Sequence, residues 1–154
     1  MARLDATVIG TRIPAHTVEV ERGRLAFFAR VIGQDNPMYL DRDAARAAGH
    51  PDVPVPPTFL FCLDMARPNP SSFYADLGID LRTILHGEQS FTYHATAYAG
   101  DILHFSTAVT DFYAKKGGAL QFLVRTTEVT REGTPIAVLQ STTVLREPAA
   151  AQRS

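Results

Sequence analysis

From His86 onward, apolar and polar positions alternate in four runs, and short turn signals separate them. "EQSFTYHATAYAG" and "DILHFSTAVTDFYA" meet at Gly100-Asp101. "GGALQFLVRTTEVT" follows Lys115-Lys116, and "REGTP" leads into "IAVLQSTTVLRE". Alternation with a period of two puts Leu103, Phe105, Thr107 and Val109 on one strand face. Four β-rich runs with short connections predict an antiparallel meander, its first turn at Gly100-Asp101.

The first half of the chain follows another rhythm. "TVEVE" reads as a short edge strand. In "RGRLAFFARVIG", Leu25, Phe28, Val31 and Ile32 recur at helical spacing, and Gly33 is positioned to end the helix. "LDRDAARAAGH" predicts a second short helix, with Asp41 as N-cap and Gly49 as its stop. "HPDVPVPP" is excluded from helix and central strand, because proline fixes φ and lacks the N–H donor. It predicts an extended loop. "TFLFCLDMA" predicts a helix that Thr58 caps and that is apolar on nearly all sides. Such a helix needs cover, and a curved antiparallel sheet wrapped around it supplies that cover. The fold class expected is therefore α+β.

The chain has 154 residues, 45% of them apolar and 20% charged, with a formal net charge of -1. One domain over residues 1–146 accommodates this, with a disordered tail over 147–154. The single cysteine, Cys62, excludes an internal disulfide, and its apolar neighbours favour a structural thiol over a nucleophile. Scattered Lys and Arg give no footprint for nucleic acid. No run of apolar residues is long enough to span a membrane, and the start lacks a leader pattern, so the expected compartment is the cytoplasm. No His/Cys/Asp/Glu cluster has metal-ligand spacing, so neither a metal nor a cofactor is expected.

Three stretches then suggest a family. "DNPMYLDRDAARAAGH", "VPPTFLF" and "LHGEQSFTYHATAYAGDIL" resemble segments of the MaoC-like hydratases and dehydratases. The likeness is greatest to stand-alone relatives of the FAS1-like MaoC dehydratase N-terminal domain, a group that includes non-catalytic subunits of bacterial hydroxyacyl-ACP dehydratases. It spans about Val18 to Arg146. The resemblance implies a hot-dog fold, in which an antiparallel sheet wraps a long central helix. It also implies chemistry: water adds across a trans-2-enoyl thioester, or leaves an (R)-3-hydroxyacyl thioester. That reaction needs a base for water, an acid for the α-carbon and a donor for the thioester oxygen.

Active members use D-x-N-P-x-H. Aligned on Asn36-Pro37, this chain has Gln34 in place of the aspartate and Tyr39 in place of the histidine. Glutamine does not exchange protons, and a tyrosine with pKa near 10 is a poor base at neutral pH. Asp35 is one residue out of register. His86 and Glu88, at i and i+2, would share a strand face and could rebuild the acid–base pair, against the plainer expectation that they only open an edge strand. The catalytic candidates are thus Asp35, Tyr39, His86 and Glu88. By resemblance, Asn36, Pro57, Thr58 and Phe59 are the candidates for substrate binding, with Thr58 and the first helical N–H groups near the thioester carbonyl. His50 in its loop could reach a pocket, although a solvent-exposed role is commoner. His94 and His104 have no partner pattern. Lys115-Lys116 could meet the phosphates of coenzyme A or of a carrier, or simply be a solvated hairpin.

Three functions fit these residues. The first is an acyl-CoA or acyl-carrier-protein thioester hydratase/dehydratase subunit that lacks the dyad. It would pair as a homodimer, or as a heterodimer with a catalytic MaoC-like subunit. The second is an active enoyl-CoA hydratase with a rearranged site. The third is a non-enzymatic acyl-thioester binding protein.

Overall fold

A computed structural model describes residues 4–146, and the expected tail at 147–154 lies outside the described residues. Five antiparallel strands form one sheet: β1 (Arg12–Glu19), β2 (Ile84–Tyr93), β3 (Ile102–Lys115), β4 (Leu120–Arg131) and β5 (Thr134–Arg146). Their order across the sheet is β1-β3-β4-β5-β2. The helices are α1 (Arg22–Val31), α2 (Arg42–Ala47), α3 (Phe59–Asp64) and α4 (Ser72–Asp76). This is the α+β hot-dog arrangement that the resemblance implies.

The alternation in β3 is realised as expected. Leu103, Phe105, Thr107 and Val109 are buried, while Ile102, His104 and Thr110 face outward. On the inner face Phe105, Leu103, Leu139 and Ile136 pack with Leu60 and Leu63 of α3. A second cluster, at the other end, joins Val109, Leu123 and Leu145 to Phe73 and Tyr74 of α4.

Two expectations are corrected. The four strands are not one meander. β3, β4 and β5 are, but β2 pairs with β5 and sits at the far edge, with β4 and β5 between it and β3. The stretch 94–101 therefore crosses over instead of making a hairpin. Its backbone meets the proline loop: Val55 N–H donates to Ala97 O at 2.8 Å and Ala99 N–H to Val53 O at 2.9 Å. Those bonds replace the ones a β2–β3 hairpin would have made.

The central helix is also short, at six residues, and Phe61 and Cys62 on it are only half-buried. Pro56 and Pro57 block its extension toward the N-terminus. Arg67-Pro68 blocks the other end, because the residue before a proline is pushed out of the helical region. Thr58 makes no side-chain cap bond. The helix is closed instead at its C-terminus, where Arg67 donates to the Asp64 carbonyl at 3.1 Å and pairs with the Asp64 carboxylate.

The other local expectations are met. Gly33 follows α1 with φ +73°, and Gln34 N–H reaches back to Ala29 O at 2.8 Å. Asp41 accepts from Ala44 N–H at 2.9 Å at the start of α2. "TVEVE" lies in and just after β1, which is an edge strand. Among the described residues, no helix is long and apolar enough to cross a membrane.

Candidate active site

The segment after α1 turns sharply over the sheet. Asn36 accepts from Met38 N–H at 3.1 Å, and Pro37–Tyr39 forms one 3₁₀ turn. Gln34 joins the same turn, since its Oε1 accepts from Asn36 N–H at 3.1 Å. Both side chains are thus occupied in shaping the loop. Asp35 between them is exposed.

Tyr39 is turned toward the sheet, where it lines a cavity of about 330 Å³. Met38, Pro57 and Leu60 form part of the wall, and Tyr93 to Ala97 form the opposite side. The polar side chains on the lining are those of Tyr39, His50, Tyr93, His94 and Thr96, and no carboxylate is among them. The cavity can donate and accept hydrogen bonds through its hydroxyls and imidazoles.

His50 and His94 are the residues that sequence reasoning undervalued. The His50 ring packs at 5.8 Å from the Tyr98 ring, with Nδ1 at 3.4 Å from the Tyr98 hydroxyl. Tyr98 is itself anchored, because its N–H donates to Asp101 at 2.8 Å and Asp101 pairs with Arg131 at 2.6 Å. Gly100, at φ +91°, lets the chain turn there, and its N–H donates to Val20 O at 2.8 Å. The Gly-Asp turn thus positions a histidine that precedes it by some fifty residues. No local spacing signals that connection.

A second anchor fixes the loop carrying His50. Asp52 is buried, accepts both arms of the Arg22 guanidinium at 2.8 and 2.7 Å, and meets Arg42 at 3.1 Å. These cations, and first the Arg22 hydrogen bonds, hold its carboxyl down to about 2. One carboxylate therefore ties the N-terminal ends of α1 and α2 to the proline loop. Bidentate Arg–carboxylate geometry suits that role, since it fixes orientation as well as distance.

The remaining candidates are scattered. Pro57 reaches the cavity, but Phe59 packs elsewhere, at 4.8 Å from the Phe28 ring. The Phe59 N–H donates to Pro56 O at 2.9 Å, so it is used locally. His86 and Glu88 do not share a face. The ladder shifts between them, with His86 opposite Thr143 and Glu88 opposite Thr142, which are neighbours on β5 and point opposite ways. His86 packs against Phe61 at 5.2 Å, at a different cavity. Lys115 lies over the Tyr113 and Phe122 rings at 5.5 and 5.1 Å, at the end of β3, and does not line the Tyr39 cavity. Burial pushes the Cys62 thiol up, away from thiolate chemistry.

Comparison with known proteins gives this geometry a context. A UPF0336 protein from Saccharopolyspora erythraea is 37% identical over 145 residues, covering 93% of this chain and 92% of the relative. Among solved structures, the HadBC (3R-hydroxyacyl-ACP dehydratase) complex from Mycobacterium tuberculosis matches with a TM-score of 0.76 and 23% identity. That match covers 93% of this chain and 99% of the other. A MaoC-like dehydratase matches with a TM-score of 0.77 and 25% identity, over 90% of this chain and 42% of that longer one. A family model described as "FAS1-like, dehydratase domain region" matches residues 7–139. With the five-stranded wrap around α3 and the Asn-Pro turn over its cavity, these matches place the chain in the MaoC-like family of FAS1-like dehydratase domains.

Proposed function

We propose that this protein is the acyl-thioester-binding subunit of a MaoC-like (R)-3-hydroxyacyl dehydratase (enoyl-thioester hydratase), working in the cytoplasm. It binds an acyl-CoA or acyl-carrier-protein thioester and leaves the acid–base chemistry to a partner subunit carrying Asp and His. One observation carries this reading. At the cavity over which the Asn-Pro turn sits, Tyr39 replaces the expected histidine, Gln34 is occupied with the Asn36 backbone, and no carboxylate lines the wall. Hydration needs a group that takes a proton from water as its oxygen bonds to C3, and a group that gives one to C2. The cavity has hydrogen-bond donors for the thioester but lacks the carboxylate of the usual pair.

The pairing follows from an open edge. Among the described residues β2 is bonded on one side only, by β5, and Leu85 and Tyr93 on it are exposed. An unpaired strand of ten residues invites a second hot-dog unit. The similar HadBC structure is itself a complex.

A second reading is an active hydratase with a rearranged site. It is favoured by His50, oriented by Tyr98 into the cavity that Tyr39 lines. Asp35, His86 and Glu88 have no place in that version, because none of them lines the cavity. The test is hydration of crotonyl-CoA and of a longer enoyl-CoA by the purified chain, followed by ultraviolet loss of the enoyl thioester. The expected result is binding without turnover. Turnover that scales with protein and is abolished in His50→Ala would overturn the subunit reading in favour of the second.

A further inference from the structure

A second cavity, of about 250 Å³, lies between α3, α4 and the inner face of the sheet. His86 is on its wall and Tyr93 on the wall of the first cavity. Six residues of β2 lie between those two, and on α3 the neighbours Leu60 and Phe61 line the first and second cavity respectively, so the helix separates them. Nothing in the proposed reaction uses the second one.

Its distinguishing group is Arg125. It stands on β4 opposite Ser141, on the same face as the buried Leu123 and Thr127. Its guanidinium lies 5.3 Å from the Tyr74 ring centre and 6.0 Å from that of Phe73. Its Nε is buried and has no hydrogen-bond partner. Among the described residues no carboxylate pairs with Arg125, and unlike Arg12, Arg30, Arg46 and Arg146, which also lack an ion pair but are exposed, it is half-buried. Aromatic faces offset only part of the cost of removing a guanidinium from water. The remainder calls for an anion.

The rest of the wall says what the anion is attached to. Near Arg125 are His86, Ser141 and Thr143, and the Thr143 hydroxyl is 3.1 Å from that of Tyr74. Beyond them the lining is apolar, with Phe61 and Met65 of the α3 region leading out to the β2 edge. One cation at the base of an apolar cleft is complementary to a hydrocarbon with one anionic end.

We propose that this cavity binds an amphiphilic carboxylate. Its carboxylate pairs with Arg125 beside Ser141, and its hydrocarbon lies against Phe61 and Met65. Leu85 lines the cleft too, so it opens at the same β2 edge as the proposed pairing surface, and ligand binding is read on the chain by itself.

Calorimetric titration of the full chain with decanoate, and with 1-decanol as the neutral analogue, tests this. Decanoate is expected to bind wild type at least tenfold more tightly than decanol does, and to bind Arg125→Met at least tenfold more weakly. Ser141→Leu keeps the arginine but fills the cleft, and is expected to abolish binding, so the test survives if Arg125→Met does not fold. Tyr39→Phe, in the other cavity, is expected to leave decanoate binding unchanged. The proposal is overturned if wild type does not bind decanoate, if decanol binds equally well, or if folded Arg125→Met binds like wild type. Sensitivity to Tyr39→Phe alone would also overturn it. None of these results depends on enoyl-CoA turnover, so the two readings fail separately.

Discussion

Gln34 and Tyr39 are two side chains away from the family's reactive pair, and their surroundings show why the difference matters. Tyr39 occupies the cavity wall, so a histidine in its place would face the same space. Gln34 already accepts a backbone N–H, a role an aspartate also fills. The double variant Gln34→Asp with Tyr39→His is therefore expected to fold and to gain enoyl-CoA hydration over the wild-type chain, read by ultraviolet loss of the enoyl thioester. No gain would mean the cavity is misplaced for the chemistry. His16 yields a second expectation at this scale. Its half-buried ring stacks on Phe105 at 5.0 Å, and burial, then the Arg67 charge, lowers its pKa, with Asp64 opposing and His104 adding to the shift. The folded state therefore binds a proton less readily than the unfolded chain. Stability is complete above the ordinary histidine value of about 6.5 and falls as pH drops below it. In urea melts between pH 8 and 5, His16→Phe is expected to flatten that dependence.

At the scale of elements, the bulge in β2 reflects close packing, whereas flanking prolines set the brevity of α3. A Cβ on Gly87 would lie 2.7 Å from Val144 Cγ2 and 3.2 Å from Thr142 O. Gly87→Ala is expected to cost about 1–3 kcal/mol, the usual range for overpacking, measured by chemical denaturation. A cost near zero would mean the edge strand yields freely. In α3, Leu63 is fully buried, and Leu63→Ala is expected to cost about 2–5 kcal/mol by the same measurement. Six residues suffice for this helix because the sheet, not helix propensity, supplies its stability.

For the whole molecule, the consequential feature is the free side of β2. β5 pairs with one side of it, no described residue pairs with the other, and Leu85 stands exposed on it. Leu85→Glu places a charge at that edge and is expected to shift sedimentation velocity profiles toward the 16.8 kDa monomer. An unchanged profile would place the association surface elsewhere, for example at Phe27 and Val31, which α1 leaves exposed.

The sequence by itself determined what depends on near neighbours. Alternation in β3, the Asp41 cap, the Gly33 stop and the unhelical proline loop all follow from side-chain period and backbone sterics within a few residues. The Asn-Pro segment also carries Gln34 and Tyr39 where the resemblance implies Asp and His. Only the tertiary structure decided how distant segments meet. The crossover at 94–101 and the placement of β2 beside β5 depend on which groups compete for the same hydrogen bonds and the same space. The alternation rule put His86 and Glu88 on one face, and a one-residue bulge separated them. His50 was a loop histidine until Tyr98, anchored by Asp101 and Arg131, directed it into the cavity. Arg125 looked like any polar position in a strand, because the aromatic rings that cover it come from α4, some fifty residues away. Periodicity reports which way a side chain points, but what it points at is set by long-range packing.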